Sequence, residues 1–222
     1  YRGTPSYQLI TQRNKPLNRD WEIAHCEFTD DHDGVWIRYV NNLRFHHNLV
    51  DHFNDDGIEV GARKRDHELY IYQNLISRCG LTFTLHEMET DEGATEVNPG
   101  SGIYITRNLV DLRRGLFKGP PRQPDPTAAF LQSSSSLAGD HSSPIWPDYW
   151  FYHNTVLRTD NAWRGYYGHG IGGRGVRGNR RALLNNCFVQ LRGVPGLSFA
   201  PTPANYQIDG NLHWGLVDGP AF

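Results

Sequence analysis

Residues 40–83, VNNLRFHHNLVDHFNDDGIEVGARKRDHELYIYQNLISRCGLTF, hold one unit written twice. Alternating apolar residues lead to an Asn, a polar turn follows, and a Gly opens a second alternating run. Leu43 and Phe45 precede Asn48 as Leu69 and Ile71 precede Asn74. Further along the chain the unit recurs: Ile103 and Ile105 before Asn108, Phe151 before Asn154, Leu183 before Asn186. Gly34, Gly57 and Gly80 stand 23 residues apart. Each opens a short strand carrying Val35 and Ile37, Ile58 and Val60, or Leu81 and Phe83. Repeats of roughly 20–50 residues predict a stacked solenoid, each unit burying its apolar face against its neighbours. Two or more strands per unit, with no sustained helical period, make the predicted class all-β.

The Asn has a physical reason. At a bend between two strands, its side-chain amide can donate to and accept from the same Asn one repeat away, satisfying turn groups that burial would orphan. Asn48, Asn74, Asn108, Asn154, Asn186 and Asn211 are the expected ladder. A leucine-rich horseshoe also offers L-x-L-x-x-N. However, Asp66 and Gly100 stand where its leading Leu belongs, and the run after each Gly is β-branched where a horseshoe places a helix or loop.

The repeat covers most of the 222 residues, so one domain over 1–222 is expected. Residues 1–20 lack the unit and read as a cap or an approach strand. Long loop excursions interrupt the solenoid at about 86–101, 112–148 and 159–181. The first is acidic, the second Pro- then Ser-rich, and the third rich in Gly, Arg and aromatics. No apolar run approaches the roughly 18 residues that span a bilayer. The chain opens at Tyr1 with no charged-then-apolar leader, so a processed chain or a piece of a longer one is expected. Three cysteines make neither a disulfide framework nor a zinc spacing. Cys26 and Cys187, at or beside the Asn position, are expected as stacked interior thiols.

Charge is uneven. Residues 1–106 hold 10 Lys and Arg against 17 Asp and Glu, and residues 107–222 hold 12 against 7. An acidic catalytic or metal-binding region beside a basic, anion-gripping stretch fits that split. The acidic first half argues against nucleic acid as a partner. Gly168, Gly170 and Gly173 match G-x-G-x-x-G with no βαβ unit around them, so no organic cofactor is expected.

In this repeat shape, residues 21–214 resemble the right-handed parallel β-helix proteins, the pectin-lyase-like superfamily. The resemblance implies a polysaccharide partner and an extracellular, cell-surface or periplasmic location. The activities it implies are hydrolysis, lysis or epimerisation of glycans, with a non-catalytic glycan-binding β-helix as the alternative.

Neighbouring strands of such a stack lie about 4.8 Å apart. Alignment on the glycines therefore sets Asp33 beside Asp56 and His32 beside Asp55, with Asp31 close by. Carboxylates so crowded repel, and a cluster that costs stability points to a metal or a reaction. Paired carboxylates are the equipment of glycoside hydrolysis. DHDGVW (31–36) followed by DDGIEV (55–60) resembles the polygalacturonase layout, which implies Asp33, Asp55 and Asp56 as catalytic acids. Arg78-Cys79-Gly80 stands where that family carries Gly-His-Gly. FTDDHD (28–33) resembles the alginate-epimerase element, which implies His32 as a proton shuttle. Ca²⁺ held by Asp31, Asp33 and Asp56 is the third reading.

The glycine alignment also forms outward rows: Trp36, Glu59 and Thr82, then Arg38, Gly61 and Thr84, continued by Arg63 and His86. Trp36 and Glu59 are expected to engage sugar, Arg38 or Arg63 to hold a carboxylate, and His86 to join them. Tyr70, Tyr104 and Trp150 form a second outward stripe.

Overall fold

The computed structural model describes residues 8–12, 18–37, 40–53, 56–61, 68–86, 102–112, 136–140, 148–158, 181–190 and 206–215. Among them every regular element is a β-strand. A first sheet stacks β1 (Gln8–Gln12), β5 (Asp33–Ile37), β9 (Asp56–Gly61), β12 (Leu81–His86) and β15 (Ser136–Asp140). A second stacks β3 (Glu22–Ala24), β7 (Leu43–His46), β10 (Glu68–Tyr72), β13 (Gly102–Thr106), β16 (Asp148–Tyr152), β18 (Arg181–Leu184) and β20 (Tyr206–Asp209). A third stacks β4 (Glu27–Thr29), β8 (Leu49–Asp51), β11 (Leu75–Ser77), β14 (Leu109–Asp111), β17 (Thr155–Arg158), β19 (Cys187–Gln190) and β21 (Leu212–Gly215). β2 (Asn18–Arg19) pairs with β6 (Val40–Asn41).

All pairings are parallel, and the chain visits the sheets in the same cyclic order, as in β9, β10, β11 and then β12, β13, β14. This arrangement is compatible with a β-solenoid. The core is a set of columns running through the stack. Phe45, Ile71, Ile105, Phe151 and Leu183 form one, and Val50, Ile76, Val110, Val156 and Phe188 another, all at 3% exposure or less.

The bend between the second and third sheets is the same in every repeat. It places a left-handed residue and then the Asn position: His25, His47, Gln73, Arg107, His153, Asn185 and Gly210 all have φ between 53° and 64°. For a residue with a Cβ this conformation costs on the order of 1 kcal/mol. The expected Asn ladder offsets it. Nδ2 of each Asn donates to Oδ1 of the next, from Asn48 through Asn74, Asn108, Asn154 and Asn186 to Asn211, at 2.9–3.2 Å. The same Oδ1 atoms accept the preceding Asn backbone N–H, and Nδ2 also donates to an interior-strand carbonyl, such as Phe45 O from Asn74. Cys26 occupies the ladder position of the first repeat, its N–H donating to Asn48 Oδ1 at 2.9 Å.

Two sequence expectations are corrected. The interior thiol is Cys79 at 1% exposure; Cys26 is exposed and Cys187 half-buried, because a thiol cannot span the ladder and the residue after each Asn faces outward. The glycine alignment also fails above Gly57. Leu81 pairs with Asp56 and Thr84 with Glu59, so Thr82 takes the rung of Gly57 and Gly80 lies lower, its N–H on Phe53 O. Gly57 follows Asp56, whereas Gly80 precedes the Asp56 partner Leu81, so Gly80 lies two residues out of line.

The glycines serve close approach. A Cβ on Gly34 would lie 2.3 Å from Gly57 O, and one on Gly57 would lie 2.9 Å from Cys79 Sγ.

Candidate functional site

Asp33 opens β5 and Asp56 opens β9, the strand stacked directly on it, where Trp36 pairs with Glu59. Register alone therefore assembles the site. One carboxylate oxygen from each of Asp33, Asp56 and Glu59 lies within 4.8 Å of the other two, and all three side chains are buried at 2–4% exposure. Asp33 and Asp56 meet as the sequence implied. Glu59, expected as a sugar contact, joins them as a third carboxylate.

The surrounding hydrogen bonds orient the group. His32 Nδ1 lies 2.7 Å from Asp33 Oδ1, so the imidazole carries a proton on Nδ1 when the carboxylate accepts. Thr84 Oγ1 donates to Asp56 Oδ1 at 2.5 Å, and the Asp56 backbone N–H points at Asp33 Oδ1 from 3.5 Å. Two unit charges 4 Å apart repel by about 4 kcal/mol at an effective dielectric of about 20. These donors offset part of that repulsion, and a divalent cation would offset more. The donor set, three carboxylates, suits a hard cation of the Ca²⁺ class.

The remaining sequence candidates scatter. Asp31 is half-buried outside the trio, its Oδ1 accepting the His32 backbone N–H at 2.7 Å. Asp55, Arg38 and Arg63 lie outside the described residues. His86 ends β12 with its backbone paired to Gly61. Trp36 is half-buried beside Glu59. Thr82 and Thr84, expected on an open outer row, are buried at 2% and 0%. Cys79, standing where the polygalacturonase resemblance wants a His, is no acid–base group: burial pushes its thiol up to about 12.

The aromatic stripe exists but turns its edges outward. Tyr70 stacks on Tyr104 at 4.9 Å and 14°, and Tyr104 on Trp150 at 4.5 Å and 2°. Their inner faces are consumed by each other, leaving little ring face for a sugar. Burial and a hydrogen bond to Glu68 push the Tyr70 hydroxyl up to about 12.

Beyond the expected residues, two features emerge. Thr84 was hidden because glycine spacing placed it two residues out of register. Asp51, which accepts from Arg78 and from Ser77 Oγ at 2.6 Å, forms an ion pair on the third sheet. No helix among the described residues is long and apolar enough to cross a membrane. Compared with protein-family models, curated proteins and solved structures, the chain matches none.

Proposed function

We propose that this chain is a right-handed parallel β-helix acting on an acidic polysaccharide, with Asp33, Asp56 and Glu59 as its working carboxylates. Cyclic strand order and unbroken parallel pairing support the fold, and one observation carries the function: three buried carboxylates brought together by register. Their 4.8 Å limit is far shorter than the roughly 6.5–9.5 Å that lets a water sit between an inverting pair. It lies nearer the roughly 5–5.5 Å of a retaining pair. In this reading one carboxylic acid protonates the departing glycosidic oxygen while a second carboxylate attacks the anomeric carbon, and water deprotonated by the first then releases the sugar. His32 relays protons through Asp33, and Thr84 orients Asp56.

A second reading is elimination or epimerisation of a uronate, and the third carboxylate favours it, since hydrolysis needs two. There Asp33, Asp56 and Glu59 would hold Ca²⁺, which neutralises the sugar carboxylate so that a base can take the adjacent proton. At 2–4% exposure the carboxylates offer a glycan little open surface. Non-catalytic binding on an outer face is therefore the rival to exclude.

A panel of acidic polysaccharides, with products weighed by mass, tests these readings. Hydrolysis leaves reducing ends alone; elimination leaves an unsaturated, ultraviolet-absorbing end and stops with chelator. Asp56→Asn is expected to lower turnover on the order of 10³-fold with the β-sheet circular dichroism intact. Full activity in that variant removes the cluster from the reaction, and binding without any product favours the non-catalytic rival.

A further inference from the structure

We propose that His46 and His47 form a transition-metal site at the bend between the second and third sheets, with Glu22 positioning His46 from behind. His46 ends β7, buried at 8% exposure, with its ring stacked on Tyr72 of the next repeat at 4.6 Å and 19°. Packing therefore fixes the ring plane. Its Nε2 lies 2.9 Å from Glu22 Oε1. A carboxylate only accepts, so this hydrogen bond puts the proton on Nε2 and leaves the lone pair on Nδ1.

That lone pair points at a second nitrogen. His47, exposed at the left-handed bend position, places its Nδ1 2.7 Å from Nδ1 of His46. His25, at the same position one repeat earlier, stacks on His47 at 5.1 Å and 25°. In the metal-free protein, His47 Nδ1–H fills the lone pair of His46. A metal would displace that proton and take both nitrogens. At metal–nitrogen distances of roughly 2.0–2.1 Å, two imidazole donors sit about 3.0–3.4 Å apart. The two Nδ1 atoms now face each other head-on, with ring centroids 5.0 Å apart across the 2.7 Å contact, so a metal is chelated only as the exposed His47 ring swings aside by about 2 Å. A carboxylate behind a ligating imidazole is the usual arrangement in such centres. Nitrogen donors select ions of the Zn²⁺, Ni²⁺ or Cu²⁺ class over Ca²⁺ and Mg²⁺.

The test is calorimetric titration of Zn²⁺ into the full chain carrying Cys26→Ser, which removes the exposed thiol. Saturable one-site binding that Ca²⁺ does not displace is expected. His47→Asn, which tolerates the left-handed bend, should weaken it at least ten-fold, and Glu22→Ala by about 10–100-fold. Asp56→Asn should leave it unchanged, which keeps this site distinct from the carboxylate cluster. No saturable binding, unaltered affinity in His47→Asn, or loss in Asp56→Asn would each overturn the proposal. Unaltered affinity in Glu22→Ala would overturn the positioning role.

Discussion

Cys79 and Cys26 carry the same thiol in opposite surroundings. Burial pushes Cys79 up to about 12, since a thiolate packed against the Gly57 backbone would lose its hydration, whereas Cys26 is exposed. In the native protein a disulfide reagent at mildly alkaline pH should label Cys26 fast and Cys79 only as the chain unfolds. Cys26→Ser should remove the fast phase; fast modification mapped to Cys79 by mass would contradict this assignment. At this scale the sequence was partly legible. Asp33 and Asp56 were readable because identical Asp-Gly pairs open both strands. Thr84 was not, because Gly57 follows Asp56 while Gly80 precedes its partner Leu81, a two-residue slip that glycine spacing cannot show. The histidine pair was visible as two adjacent letters, but its facing nitrogens depend on rotamers that no spacing encodes.

Among the elements, the Asn ladder was the most legible, because an amide both donates and accepts and so chains from one repeat to the next. Asn74 is its midpoint: its Oδ1 accepts from Asn48 N–H and Nδ2, and its Nδ2 donates to Phe45 O and Asn108 Oδ1. Asn74→Ala orphans buried groups on both neighbouring rungs, at about 1–3 kcal/mol for each group left unpaired. A loss of about 3 kcal/mol in denaturant unfolding is expected, against under about 1 kcal/mol for the neighbouring Leu75→Ala, which is 42% exposed. Equal effects of the two substitutions would strip the ladder of its structural role. The aromatic stripe shows the reverse case. Outward alternation was readable in Tyr70, Tyr104 and Trp150, but identical spacing from rung to rung makes rings stack on one another before they meet a ligand.

Across the whole molecule, the Asp51–Arg78 pair contributes to acid stability. Burial raises the Asp51 carboxyl, but hydrogen bonds from Arg78 and Ser77 and the Arg78 charge outweigh it and hold the group below its ordinary 3.8. A depressed carboxyl contributes stability that is present above 3.8 and is lost as pH falls through the folded value. Arg78→Gln should therefore lower stability at neutral pH, leave it nearly unchanged near about pH 2, and flatten the acid limb between. A parallel offset at every pH, measured by chemical denaturation, would assign the loss to packing instead. The period, too, belongs to this scale. The 23-residue spacing suggested a constant repeat, yet second-sheet partners lie 22, 26, 34, 46, 32 and 25 residues apart from Ile23 to Ile208. What stays constant is the bend, where the second inward position always follows the first by five residues, as from Phe45 to Val50 or Phe151 to Val156. Length is thus accommodated in the connections, leaving the interior in phase. A lineage built on this plan can lengthen, shorten or exchange those connections, and with them its surface chemistry, while inheriting its hydrophobic spine unchanged.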